Sequence, residues 1–132
     1  MRILVDTSVW ASLFRKGGPP DQPAVRKLVA MLRRNEDVVL MGLILQEVLQ
    51  GFREEGTFRS VAARLEWFPL LRSSRDDFVA AAALHRRCAT AGLSASTADC
   101  QIATAAIRHG CLLLTADADF ERIARHSPLK LA

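Results

Sequence analysis

The runs "ILV" at residues 3–5, "VVLM" at 38–41 and "CLLL" at 111–114 are apolar at every position, and stretches with helical spacing separate them. A strand with one wet face alternates apolar and polar side chains, so a strand that is apolar throughout must be covered on both faces. Few folds satisfy this. The pattern predicts an α/β chain, a three-layer α/β/α sandwich around a central, mainly parallel sheet of four to five short strands.

The intervening segments agree. In "PAVRKLVAMLRR" Val25, Leu28, Val29 and Leu32 recur at helical spacing, and Pro23 suits a helix start. "TSVWASLF", "LILQEVLQGF", "TFRSVAARLEWF", "TADCQIATAAIRHG" and "DADFERIARH" also read as helices, and "RDDFVAAAALHRRCATAG" as a long one ending at Gly92. "WFPLL" predicts a short strand, "PLKLA" an edge strand after Pro128, and "GGPPDQP" at 17–23 a loop.

Half of the 132 residues are apolar, enough for the core of one domain, which is expected to span 1–132. The stretch "VVLMGLILQEVL" breaks at Glu47, short of the roughly 20 residues that cross a bilayer, so no membrane association is expected. The apolar run after Arg2 reaches Asp6 too soon for a signal-peptide core. Cys88, Cys100 and Cys111 make an odd count without paired short spacing, which suits reduced thiols in a cytoplasmic protein. The net charge of +4 is carried mostly by Arg, whose forked guanidinium suits phosphate, and it admits nucleic acid as a partner.

In open parallel sheets, chemistry gathers outside the carboxyl ends of the strands. Asp6 ends the first apolar run and Asp117 follows the last. Each acid also has a structural role open to it. Asp6 can cap "TSVWASLF", Asp99 can complete a capping box with Ser96, Asp117 can cap the last helix, and Asp119 can favour that helix's first turn. Glu47 is harder to place, because its apolar neighbours leave only a narrow exposed stripe. Gathered at one sheet edge, such carboxylates repel by on the order of 4 kcal/mol per pair at about 4 Å and an effective dielectric near 20, and need a cation. Oxygen ligands alone favour Mg²⁺, with Mn²⁺ the other fitting ion. Thr7, Ser8 and Thr115 could then hold the carboxylates in place.

The other features have plainer readings. His85, His109 and His126 lack metal or catalytic spacing, and no G-x-S-x-G nucleophile turn occurs. Trp10, Leu13 and Phe14 suit a core, or a partner groove close to Asp6. Arg15 and Lys16 suit the end of the first helix, and the pairs at 33–34 and 86–87 suit solvated faces.

Taken in order, "ILVDTSVW", "LQEVLQG", "STADCQIATAA" and "LLTADADF" resemble the four acidic motifs of the PIN-domain nucleases, and more closely those of the VapC-type toxins of bacterial toxin–antitoxin pairs. The resemblance spans nearly the whole chain. It implies a PIN-like fold in which Asp6, Glu47, Asp99 and Asp117 are the catalytic, metal-binding acids, with Asp119 an additional ligand. It further implies a Mg²⁺-dependent endoribonuclease that cleaves RNA of the translation machinery by a metal-activated water. A cognate VapB-type antitoxin would block the site, the chain would form a homodimer, and Arg15 and Lys16 would contact RNA phosphates on the rim. A PIN-type RNA-processing nuclease without an antitoxin would carry the same residues. A receiver-like Mg²⁺-binding signalling domain would need adjacent acids after the first strand and a Lys after a late one, where this chain has Asp6 alone and Thr115.

Overall fold

The apolar runs form strands and the periodic stretches form helices in a computed structural model that describes residues 1–19 and 21–132. Strand β1 (Ile3–Val5) leads into α1 (Thr7–Leu13) and α2 (Pro23–Arg33), and β2 (Val38–Met41) into α3 (Gly42–Gln50) and α4 (Glu55–Leu65). β3 (Leu70–Leu71) leads into α5 (Arg75–Thr90) and α6 (Thr97–Arg108), and β4 (Leu112–Leu114) precedes α7 (Asp119–Arg125). Position 20 of the expected loop at 17–23 lies outside the described residues.

The four strands run parallel in the order β3-β2-β1-β4. Every residue of β1 and β2 is buried, and because successive side chains point to opposite faces, both faces of the sheet are covered. Leu4, Leu40 and Leu113 from the sheet meet Leu28, Ile44, Leu84 and Ile102 from the helices in one core. Each such side chain contributes about 1.5–3 kcal/mol by leaving water. Gly92 and Gly110, just past the ends of α5 and α6, take φ of 78° and 66°, the left-handed turn that a helix stop requires.

The expected edge strand "PLKLA" is reduced to a single parallel bridge between Leu113 and Leu131. Leu113 N–H donates to Lys130 O and Ala132 N–H to Leu113 O, while Pro128 has no N–H with which to lengthen the ladder. No described helix is long and apolar enough to cross a membrane. All three cysteines are free and buried.

The sheet order positions the site. The chain steps outward from β1 to β2 to β3, then returns to lay β4 against the other side of β1, with Val5 opposite Leu114. That reversal opens a crevice at the carboxyl ends of β1 and β4. Because α6 feeds a parallel strand, its first turn, with Asp99, lies at the same edge of the sheet.

Candidate active site

Asp6 leaves β1 at this crevice with its backbone N–H donating to Leu114 O at 2.8 Å, and the residue is only 5% exposed. It does cap α1, since Oδ1 accepts from Thr7 N–H at 2.7 Å. Its other oxygen, Oδ2, accepts from the hydroxyls of Ser8 at 2.8 Å and Thr115 at 2.9 Å. A carboxylate oxygen has two lone pairs, so these bonds fill Oδ2 and leave Oδ1 able to accept one more partner. The cap therefore also aims the group. Thr115 Oγ1 accepts from Asp117 N–H at 2.9 Å, and Ser8 Oγ from Ala116 N–H at 3.3 Å.

Asp99, Asp117 and Asp119 converge, each offering a carboxylate oxygen within 4.8 Å of the others. Only half of the expected capping box forms at α6, the half in which Ser96 Oγ accepts from Asp99 N–H at 3.0 Å. Burial pushes the Asp99 carboxyl above its usual range, the hydrogen bond to Ser96 opposes this, and the charges of Asp117, Asp6 and Asp119 push it further up. Asp117 Oδ1 accepts from Asp119 N–H at 2.9 Å, and Asp119 pairs with Arg122 one turn along α7. Glu47 stands to one side. Its Oε1 accepts from the Thr7 hydroxyl at 2.8 Å, which links it to Asp6 across α1, but it is not among the three converging acids.

The donor set is oxygen only, and at this spacing each like-charged pair costs about 3 kcal/mol before solvent screens it. Three converging carboxylates fit a hard divalent cation such as Mg²⁺ or Mn²⁺, and the charge of Asp6 reaches Asp99 in the same crevice.

Beside Glu47 runs a groove of about 840 Å³ between α1, α3 and α4. Phe14, Phe52 and Thr57 line it, with Arg15, Lys16 and Arg53 as cations and Glu47 and Glu54 as acids. Trp10 does not line it. The indole is 1% exposed, stacked on Phe14 at 6.0 Å between ring centroids and tilted against Phe68 at 5.0 Å, so it belongs to the core. Arg15 and Lys16 lie past the end of α1, exposed on the groove's rim. Sequence reading missed Phe52 and Arg53. Their signal was the aromatic–basic pair "FR" just past Gly51, which ends the helix that carries Glu47.

The PIN domain family matches residues 3–126. Ribonuclease VapC11 of Mycobacterium tuberculosis is 35% identical over 132 residues, a match covering 98% of this chain and 97% of that one. Among solved structures, VapBC2 from Rickettsia felis, bound to a DNA fragment from its promoter, aligns with a TM-score of 0.80 at 19% identity, covering 100% and 98% of the two chains. VapC20 of M. tuberculosis, a sarcin–ricin loop cleaving toxin, aligns with a TM-score of 0.68 at 18% identity, covering 91% and 93%.

Proposed function

This chain belongs to the PIN-domain family, and on that premise we propose that it is a Mg²⁺-dependent endoribonuclease, the toxin of a VapBC-type toxin–antitoxin pair, acting on RNA of the translation machinery. The observation that carries this reading is the convergence of Asp99, Asp117 and Asp119 beside an Asp6 held by three donors. Ribonuclease activity is named for the 35%-identical VapC11, and cleavage of the sarcin–ricin loop for VapC20.

In this reading the carboxylates of Asp6, Asp99 and Asp117, with Asp119 and Glu47 beside them, hold the ion. A divalent ion bound there supplies Lewis-acid stabilisation of the phosphate and an acidified attacking water. Thr7, Ser8 and Thr115 fix the acids against their own repulsion, and Arg15, Lys16 and Arg53 attract the RNA backbone toward a pit that would otherwise repel it. Part of the same proposal is a homodimer, together with an antitoxin whose basic side chain enters the acidic pit while its apolar residues follow the groove of Phe14 and Phe52. The FitA–FitB and VapBC structures among the fold's neighbours support a toxin–antitoxin setting.

The test is cleavage of total cellular RNA by the purified chain. Mg²⁺ or Mn²⁺ should support it, EDTA should stop it, and Asp117→Asn should abolish it without loss of fold. Cleavage persisting in EDTA would point to a metal-free route through the RNA 2′-hydroxyl and overturn the proposal.

A further inference from the structure

A second groove, of about 360 Å³, lies between α5 and α6 and is lined by Phe78, Ala82, His85, Arg86, Thr97 and Gln101. Phe78 is 52% exposed and has no aromatic partner among the described residues. Arg86 also borders an adjoining depression with Arg87, Thr90 and His126. Neither Arg86 nor Arg87 forms an ion pair among the described residues. An exposed ring and an unpaired guanidinium along one groove, Phe78 and Arg86, are the composition of a single-stranded nucleic-acid site, where bases stack and phosphates pair.

Its position gives it a role. Thr97 and Gln101 lie two residues before and after Asp99 in α6, each about 3 Å from it along the helix axis but on the opposite side of the helix. α3 packs on α6 and α6 on α5, so the acids lie between this groove and the one lined by Phe14, Phe52 and Arg53. A strand crossing the acids would thus meet an aromatic and basic groove on each side of the scissile phosphate.

We propose that the α5–α6 groove is a second RNA subsite that takes an unstacked base of the strand beyond the cleavage position, with Phe78 at the end of the groove away from Asp99. Phe78 stacks on the base, Gln101 and Thr97 read its edge, and Arg86 and Arg87 hold the neighbouring phosphates. A second copy of the chain suits the face less well. Arg86 and Arg87 have no ion-pair partner among the described residues, and RNA phosphates supply the charge that neutralises them. The proposal rests on the ribonuclease reading above.

The experiment uses the full chain in an Asp117→Asn background, which leaves the RNA intact, with a labelled pool of single-stranded oligoribonucleotides of random sequence. Arg86→Gln should weaken binding and make the log–log salt slope shallower by about 0.7, the loss of one phosphate contact. Phe78→Ala should weaken it roughly 5- to 150-fold. In the active chain, Gln101→Ala should broaden the base preference at one fixed position from the cut. If the parent binds RNA and these variants match it, the subsite is overturned and the ribonuclease reading stands. A parent that neither binds nor cuts RNA removes both. If Phe78→Ala or Arg86→Gln turns dimers into monomers in sedimentation, a second copy covers this face and the proposal falls.

Discussion

Thr115, at the end of β4, donates its hydroxyl to Asp6 Oδ2 at 2.9 Å, joining residues 109 positions apart. The same oxygen accepts from Asp117 N–H, so one hydroxyl orients the acid of the first strand and the turn that carries the acid of the last. Ser8 repeats the pattern from α1, donating to Asp6 and accepting from Ala116 N–H. Carboxylates that repel one another cannot hold a strand end together. Here neutral hydroxyls do it, and the acids remain free to take a cation.

Thr115→Val keeps the shape and removes both bonds. Cleavage in Mg²⁺ should fall about 10- to 100-fold, as is usual when a group that orients a metal ligand is lost. Thr115→Ser should recover most of it. Rates measured across a Mg²⁺ series should show the loss chiefly as a higher metal requirement, and a valine variant with parental rates would sever the hydroxyl from function.

The raised carboxyl of Asp99 sets a stability expectation for the metal-free chain. A group whose folded pKa is raised stabilises the fold fully below its ordinary value of 3.8, and that contribution is lost as pH rises through the folded value. Asp99→Asn escapes the loss. In EDTA its melting temperature should gain on the parent's as pH rises from about 3.8, and saturating Mg²⁺ should reverse the order by binding only the parent tightly. Parallel melting curves at every pH would mean that Asp99 feels neither its burial nor its neighbours.

Most of this architecture was legible because it is local. β1, β2 and β4 are apolar at nearly every position, and the acids mark the strand and helix ends in order. Where pairing decides, sequence failed. "PLKLA" has strand-like residues, but its outcome depends on how many partners β4 can offer, and that is one bridge. Trp10 was ambiguous because burial of a side chain near a site depends on Phe14 and Phe68, the latter 58 positions away. The groove of Phe14 and Phe52 was hidden for the same reason, being assembled from the ends of three helices.

At the far end of α5 and α6, Asp77 is 9% exposed, closes a full capping box with Ser74 and pairs with Arg108, with His109 Nε2 at 3.8 Å. The backbone hydrogen bond from Ser74 lowers its pKa most, burial opposes this, and Arg108 lowers it further. A depressed carboxylate stabilises above its ordinary value of 3.8 and loses that as pH falls through the folded value. Asp77→Asn should therefore cost about 1 kcal/mol near neutral pH. The difference, read by urea melts, should close in acid, and RNA cleavage should be unaffected.

Burial pushes the Cys100 thiol up to about 11, with Cys88 and Asp99 adding to it, and Cys111 is raised by burial as well. Little thiolate then exists near neutral pH. Iodoacetamide should leave the folded chain unmodified, while after unfolding all three thiols should react, as counted by mass spectrometry. Rapid labelling of Cys88 or Cys100 in the folded chain would show that the α5–α6 interface opens.

The groove beside Glu47 makes the toxin reading testable in cells. Phe14 and Phe52 offer apolar surface in a groove that Glu47 also lines, next to acids that a basic side chain can neutralise, so a small partner can fill groove and pit together. Expression of the chain alone should arrest growth, Asp6→Asn should be harmless, and co-expression of the small protein encoded beside the gene should restore growth. Thr57→Arg, which crowds the groove, should weaken the rescue more than the arrest, and Phe52→Ser should do the same provided its melting temperature stays near the parent's. Each is read as colony counts with and without the partner. Growth unaffected by the active chain, with no small gene adjacent, would instead favour a PIN nuclease that processes RNA without an antitoxin.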